Sequence, residues 1–295
     1  MNAKAPVLGF IGLGVMGGPM CRNVATRHGA PVHVFDADPR AVEALADAGV
    51  VQAHAIGEVA QAADIVFLSL PGGAQVREVC LGPQGLAMSA RPGLVVVDLS
   101  TTGVSEAREI AAELARRGAS FADAPVARTR EAAQKGTLSI MVGAEPDLFE
   151  RIEPLLRYMG SDVTRCGGVG CGQVVKLINN TLLFGHVAAL AELMVVGERA
   201  GVAPATLLEA VSLGSGDSFA LRNHGLKAMV PRQFPERAFP STYVLKDLGY
   251  AIELARSCGV EPHIPEQSAR YYREAVDRGL GDRYFPVIIE LVGKP

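Results

Sequence analysis

The chain is 295 residues long, 49% apolar and 20% charged, with a formal net charge of −3. That length exceeds what one hydrophobic core usually serves, so two domains are expected, and the composition is that of a globular and not a disordered chain. Only 5% of residues are aromatic, there is no tryptophan, and the balance of charge is slightly acidic, which excludes nucleic acid as the expected partner.

The chain opens on VLGFI (Val7 to Ile11), a short apolar run that reads as a buried strand. Directly after it, Gly12, Gly14 and Gly17 form G-x-G-x-x-G at the head of the helix-like PMCRNVATRH. Strand, glycine loop and helix start together make a phosphate cradle: the first glycine permits a tight turn, the second lets backbone approach a pyrophosphate, and the third lets helix and strand pack closely. Val15 and Met16 lie within this loop and are expected to line it. So many glycines also argue against the helical core of a secretory leader.

The next strand, VHVF, ends at Asp36. A carboxylate there suits the ribose hydroxyls of NAD and repels the 2′-phosphate of NADP, so NAD is expected over NADP. Nearby Arg40 complicates this only if it turns toward the ribose. Strands follow at IVFLSL, LVVVDL and SIMV, with helical patterns between them such as Arg40 to Ala48 and Ser105 to Arg117. Near-continuous apolar strands alternating with helices predict a Rossmann-type, doubly wound parallel α/β domain over residues 1–165.

Beyond that point strand signals nearly vanish. A long Ala- and Leu-rich pattern after Gly167–Gln173 predicts an interdomain helix, followed by an all-helical domain, together spanning residues 166–295. The best membrane-span candidate, Thr181 to Val196, is interrupted by His186 and Glu192, so no membrane partner is expected. The five cysteines show no paired spacing, and the six histidines show no ligand spacing; a reducing cytoplasmic setting without a bound metal is the expectation.

Polar residues stand out at KLINN, where Lys176, Asn179 and Asn180 interrupt the long apolar helix and Lys176 and Asn180 share one face. A lysine deprived of water loses its proton more readily, which makes it an acid/base candidate; alternatively its aliphatic stem carries the charge out to solvent. Ser100 and Thr101 in DLSTT, and Leu70 and Pro71 after IVFLS, fall at the carboxyl edge of the predicted sheet, where such folds bind ligands. Helix capping is the alternative role for Thr101 or Thr102.

Taken with DIVFLSLP, DAPVARTREAAQKGTLSIMVG, GGVGCGQVVKLINN and LKDLGYAIELA, these segments resemble the β-hydroxyacid dehydrogenase family over nearly the whole chain and in its order. The resemblance implies an NAD-dependent enzyme that interconverts a small anionic hydroxy acid and its oxo acid or semialdehyde. It implies Lys176 as the catalytic lysine, Asn180 as its substrate-orienting partner with Asn179 beside it, Ser100 and Thr101 at substrate and nicotinamide, and Leu70, Pro71 and Lys246 near the cofactor. The long apolar helix and helical second domain suggest oligomerisation, since surplus apolar surface is usually covered, so a homodimer or homotetramer is expected. Imine reductases share this architecture but generally replace the lysine. One departure matters. Where the family usually reads DAPVSGG, this chain carries Arg128 and Thr129 in place of two glycines. The loop resembles that of sulfolactaldehyde reductases, so Arg128 is expected to grip a distal anion, as a sulfolactaldehyde or 4-hydroxybutyrate-type reductase would require. A different class, a non-catalytic dinucleotide-binding sensor, remains the alternative to an enzyme.

Overall fold

In the computed structural model, which describes residues 5–236 and 238–293, nine strands form one sheet. They are β1 (Leu8–Ile11), β2 (Val32–Phe35), β3 (Val51–Gln52), β4 (Ile65–Leu68), β5 (Val95–Asp98), β6 (Ser120–Asp123), β7 (Val126–Ala127), β8 (Leu138–Gly143) and β9 (Gly160–Gly167). Their order is β3-β2-β1-β4-β5-β6-β8-β7, with β9 also on β8. Strands β1 to β6 are parallel, whereas β8 runs antiparallel to β6 and β7. The chain winds outward from β1 to β3 and then returns to β4 on the other side of β1. That reversal opens a crevice above the carboxyl ends of β1 and β4, the position at which α/β sheets bind ligands.

Period-two alternation explains why these strands read as unbroken apolar runs. Leu8, Phe10, Phe67, Val95 and Val97 enter one core, while Ile11, Val66, Leu68 and Val96 enter the other on the opposite face. Both faces are covered, so β1, β4 and β5 are buried along their whole length.

Two helical expectations are refined. The pattern over 40–48 resolves into a short helix, Pro39–Glu43, and a separate 3-10 turn, Ala46–Ala48, because Asp38 caps the first and Gly49 in the left-handed region closes the second. The pattern over 105–117 is the helix Val104–Arg116.

Two compact units are present, one ending at Lys176 and one beginning at Leu177. The helix Cys171–Arg199 runs through that division. By length and composition alone this helix passes as a membrane span. Its Phe184, Val187, Ala191 and Met194 nevertheless belong to the core of the second unit, with Leu208, Leu221, Val244, Leu248, Tyr272 and Phe285. That core is built by helices Pro204–Val211, Ser241–Ser257 and His263–Asp277 and the π-helical stretch Leu221–Met229.

Candidate functional site

At the end of β1 the chain turns sharply. Gly12 has φ 90°, and a Cβ there would stand 2.3 Å from the Ser69 carbonyl oxygen. A Cβ on Gly17 would stand 2.0 Å from the Gly12 carbonyl oxygen, so both glycines are demanded by packing within the protein. Gly14 differs. A Cβ built there meets nothing within 4 Å, and neighbouring Val15 is 51% exposed. The protein leaves open space over Gly14 where the spacing predicts a pyrophosphate.

Asp36, just past β2, closes this loop. Its carboxylate accepts from the Leu13 N–H at 2.6 Å and from the Asp38 N–H at 2.8 Å, which fixes the glycine turn to the strand end. Arg40, the residue that could have favoured a 2′-phosphate, is instead held by both oxygens of Asp38, with Nε and Nη2 at 2.9 and 2.8 Å. The Arg40 guanidinium keeps the Asp38 carboxyl below its usual range. Gly loop, open surface and strand-end carboxylate fit a dinucleotide without a 2′-phosphate.

Two buried aspartates end β5 and β6 side by side, Asp98 opposite Asp123 in the strand register. Asp98 accepts from the Ser100 N–H at 2.9 Å and the Thr102 hydroxyl at 2.7 Å. Asp123 accepts from the Gly170 N–H at 2.6 Å and the Gln173 N–H at 2.8 Å, at the start of the long helix. Burial pushes both carboxyls up to about 6 despite these bonds. The Ser100 hydroxyl accepts from the Leu70 N–H at 2.9 Å, which joins the β4 and β5 loops. Thr101 between them is half-buried and Pro71 is exposed. The following helix, Val104–Arg116, has Gly103 at its N-cap, and the Thr102 hydroxyl is turned to Asp98.

Lys176 is buried on the long helix, one turn before the buried Asn180. In the second unit the Asn180 amide donates to Asp247 at 2.7 Å and accepts from Asn179 at 3.1 Å. The other Asp247 oxygen pairs with Lys246 Nζ at 3.0 Å, and Lys246 also faces the Tyr250 ring, 5.3 Å from its centroid. Asn180, Asp247 and Lys246 are therefore one connected polar group.

Arg128 departs from expectation. Its guanidinium donates to the Thr137 carbonyl at 2.6 Å and to Ser161 at 2.9 Å, and pairs with Asp162 at 2.7 Å. The predicted anion fork is thus committed to the Thr137 carbonyl and to Ser161 and Asp162 of β9, a strand whose polar sequence gives no sign that an acidic partner stands there. The backbone of Arg128 keeps φ 87°, a left-handed conformation that suits the glycine usual at this position in the resembled family. Thr129 caps the helix Arg130–Lys135, its hydroxyl accepting from the Ala132 N–H at 3.4 Å. Sequence reading did not single out Asp98, Asp123, Thr102 and Gln173 as site residues; strand-terminal aspartates after apolar runs were the available signal for the first two.

Comparison with known proteins bears on this geometry. Residues 7–168 match the NAD-binding domain of 6-phosphogluconate dehydrogenase, and residues 170–292 match the NAD-binding family model of NADP-dependent 3-hydroxyisobutyrate dehydrogenase. The chain is 34% identical to 2-(hydroxymethyl)glutarate dehydrogenase of Eubacterium barkeri, covering 98% of this chain and 95% of that one. It is 36% identical to 2-hydroxy-3-oxopropionate reductase of Escherichia coli, covering 85% and 84%. Among solved structures, 3-hydroxyisobutyrate dehydrogenase of Mycobacterium tuberculosis with L-serine superposes with a TM-score of 0.89 at 29% identity, covering 99% of this chain and all of that one.

Proposed function

The chain belongs to the β-hydroxyacid dehydrogenase family, NAD(P)-dependent oxidoreductases of small hydroxy acids, and from that premise we propose that Lys176 is its acid/base group. The observation that carries this reading is a buried lysine one helical turn from a buried asparagine. Gly12, Gly14, Val15, Met16 and Gly17 would hold the pyrophosphate of NAD, Asp36 its adenosine ribose, and Leu70, Pro71, Thr101 and Lys246 its nicotinamide half. When bound, the nicotinamide supplies hydride acceptance and donation.

In the oxidative direction neutral Lys176 Nζ takes the proton of the substrate hydroxyl; in the reductive direction the ammonium returns it to the carbonyl oxygen. Asn180 orients the oxygen that gives or takes this proton, and its bond to Asp247 keeps its amide from rotating. Asn179 steadies that amide from the side. Ser100, Thr101 and Thr129 bind the substrate with the backbone of their loops. The substrate is a small hydroxy acid with one carboxylate, or its semialdehyde, because Arg128 reaches a second anion only by leaving Asp162. A dianionic substrate is the second reading. The observation favouring it is that Arg128 and Asp162 are 43% and 56% exposed, so their pair holds by little and a buried substrate anion would compete for it.

The long helix exposes Ile178, Leu182, Leu193 and Val196, which supports a homo-oligomer covering that face. Five cysteines without a disulfide support a reducing, cytoplasmic setting. The test of the catalytic reading is Lys176→Ala assayed with NAD and 3-hydroxyisobutyrate or L-serine. Turnover falls by about two to four orders of magnitude while NADH still binds. Turnover within a few-fold of the parent would remove the lysine from the chemistry.

A further inference from the structure

We infer that Gln173 is a positioning residue for the reaction, its buried side-chain amide clasping the Ser100–Thr102 loop to the first turn of the helix that carries Lys176. Its Nε2 donates to the Ser100 carbonyl at 2.8 Å and its Oε1 accepts from the Thr102 N–H at 3.1 Å. The two bonds lie on one planar group, so they fix both the distance and the orientation of the loop relative to the helix. Lys176 follows three residues later, on the neighbouring turn.

The surrounding bonds close a circuit. Asp98 holds Ser100 and Thr102 from the sheet, Gln173 holds the same two residues from the helix, and Asp123 holds the helix start to the sheet through the Gly170 and Gln173 N–H groups. Gly172 makes this approach possible, since a Cβ there would stand 2.3 Å from the Met141 carbonyl oxygen. Each of the two residues flanking Thr101 is thereby gripped from two directions, and Thr101 is presented between them. Proton transfer is sensitive to such placement: a shift of about 1 Å in a reacting group costs on the order of a hundredfold in rate.

Packing alone does not account for the glutamine. An apolar side chain of equal volume would fill the same space, but it would leave one buried carbonyl and one buried N–H without partners. Only a side chain that donates and accepts in one plane serves both, and asparagine is a methylene too short to reach from this helix.

The inference rests on the reading of Lys176 as the proton-transfer group, and Lys176→Ala is run in parallel with NAD and 3-hydroxyisobutyrate as probes. Gln173→Leu lowers kcat at least tenfold, while the KM for NAD and the NADH dissociation constant from fluorescence titration stay within threefold and the protein melts well above the assay temperature. Gln173→Glu supplies a signature that a merely structural role lacks. Its introduced carboxyl accepts from Thr102 in either state but donates to the Ser100 carbonyl only when protonated. Its kcat relative to the parent therefore rises as pH is lowered, against the parent's own loss of oxidative rate in acid. A Gln173→Leu kcat within twofold of the parent overturns the inference, as does NADH affinity falling in step with kcat, or a Gln173→Glu pH profile parallel to the parent's. Should Gln173→Leu not fold, the Gln173→Glu profile decides, and failure of both to fold also overturns it. An active Lys176→Ala sinks the underlying reading instead; an inactive Lys176→Ala beside a fully active Gln173→Leu sinks only the clasp.

Discussion

Replacing Gly14 with alanine separates what the glycine loop does for the protein from what it does for the cofactor. A Cβ on Gly14 meets no protein atom within 4 Å, and the residue does not occupy the left-handed region. Folding should tolerate Gly14→Ala: the change in stability lies within about 1 kcal/mol, and the reduced entropy of the unfolded chain tends to raise it. Gly17→Ala serves as the contrast. Its methyl would lie 2.0 Å from a backbone oxygen, so the turn must open, at a cost of roughly 1–3 kcal/mol or more. If the space over Gly14 is filled by the pyrophosphate, the same methyl that folding ignores intrudes on the ligand. An overpacking cost of about 1–3 kcal/mol at 1.4 kcal/mol per decade corresponds to roughly 5- to 150-fold weaker NADH binding. Thermal melting read beside NADH fluorescence titration tests both halves. Parent-like NADH affinity in a folded Gly14→Ala protein would refute the placement of the cofactor, and a melting point lowered as far as that of Gly17→Ala would refute the reading of the open space.

Stability between pH 4 and 6.5 should reflect two opposing contributions. Burial raises Asp98 and Asp123 to about 6, so the folded chain keeps protons that the unfolded chain has lost, and stability falls as pH rises through that window by up to about 3 kcal/mol per group. Burial lowers His224 to about 4, so its contribution is lost as pH drops from roughly 6.5 to 4. Melting curves across this range should therefore tilt in opposite directions for Asp98→Asn and His224→Gln, and parallel profiles would contradict both assignments. For Arg128, KM for 3-hydroxyisobutyrate should stay within about threefold in Arg128→Ala; a rise of tenfold or more would put the guanidinium on the substrate carboxylate and overturn its commitment to Asp162. Arg128→Gly should be more stable than Arg128→Ala by about 1 kcal/mol, because both lose the ion pair but only glycine relieves the left-handed backbone.

What could be read from the chain alone followed the range of the interaction involved. Strands β1, β4 and β5 were legible because burial on both faces writes itself as consecutive apolar residues. Strand β6, Ser-Phe-Ala-Asp, and strand β9, Gly160–Gly167, were not: one carries a single large apolar side chain, and the other is an edge with most of its residues exposed or half-exposed. The glycine loop and Asp36 were legible because a cradle, its turn and its capping carboxylate lie within one β-α-β unit. Gln173 was opaque for the opposite reason. Its partners lie 71 and 73 residues away, and no local pattern distinguishes a buried glutamine from a solvated one at a helix start. Arg128 depends on the same kind of information: the anion it meets is Asp162, on a strand that local sequence does not reveal.

The two strand-end aspartates differ in whether they must be acids, although burial raises both alike. At Asp98 one partner is the Thr102 hydroxyl, which can reverse and accept, so an amide would meet its two neighbours nearly as well as a carboxylate does. At Asp123 both partners are backbone N–H groups, and an amide would necessarily turn its own NH2 against one of them. Those N–H groups are also the positive end of a 29-residue helix, whose dipole favours a negative charge and offsets part of the desolvation. The carboxylate at 123 is thus fixed by the helix it anchors, and Lys176 on that helix is held in register with the sheet edge by the same charge.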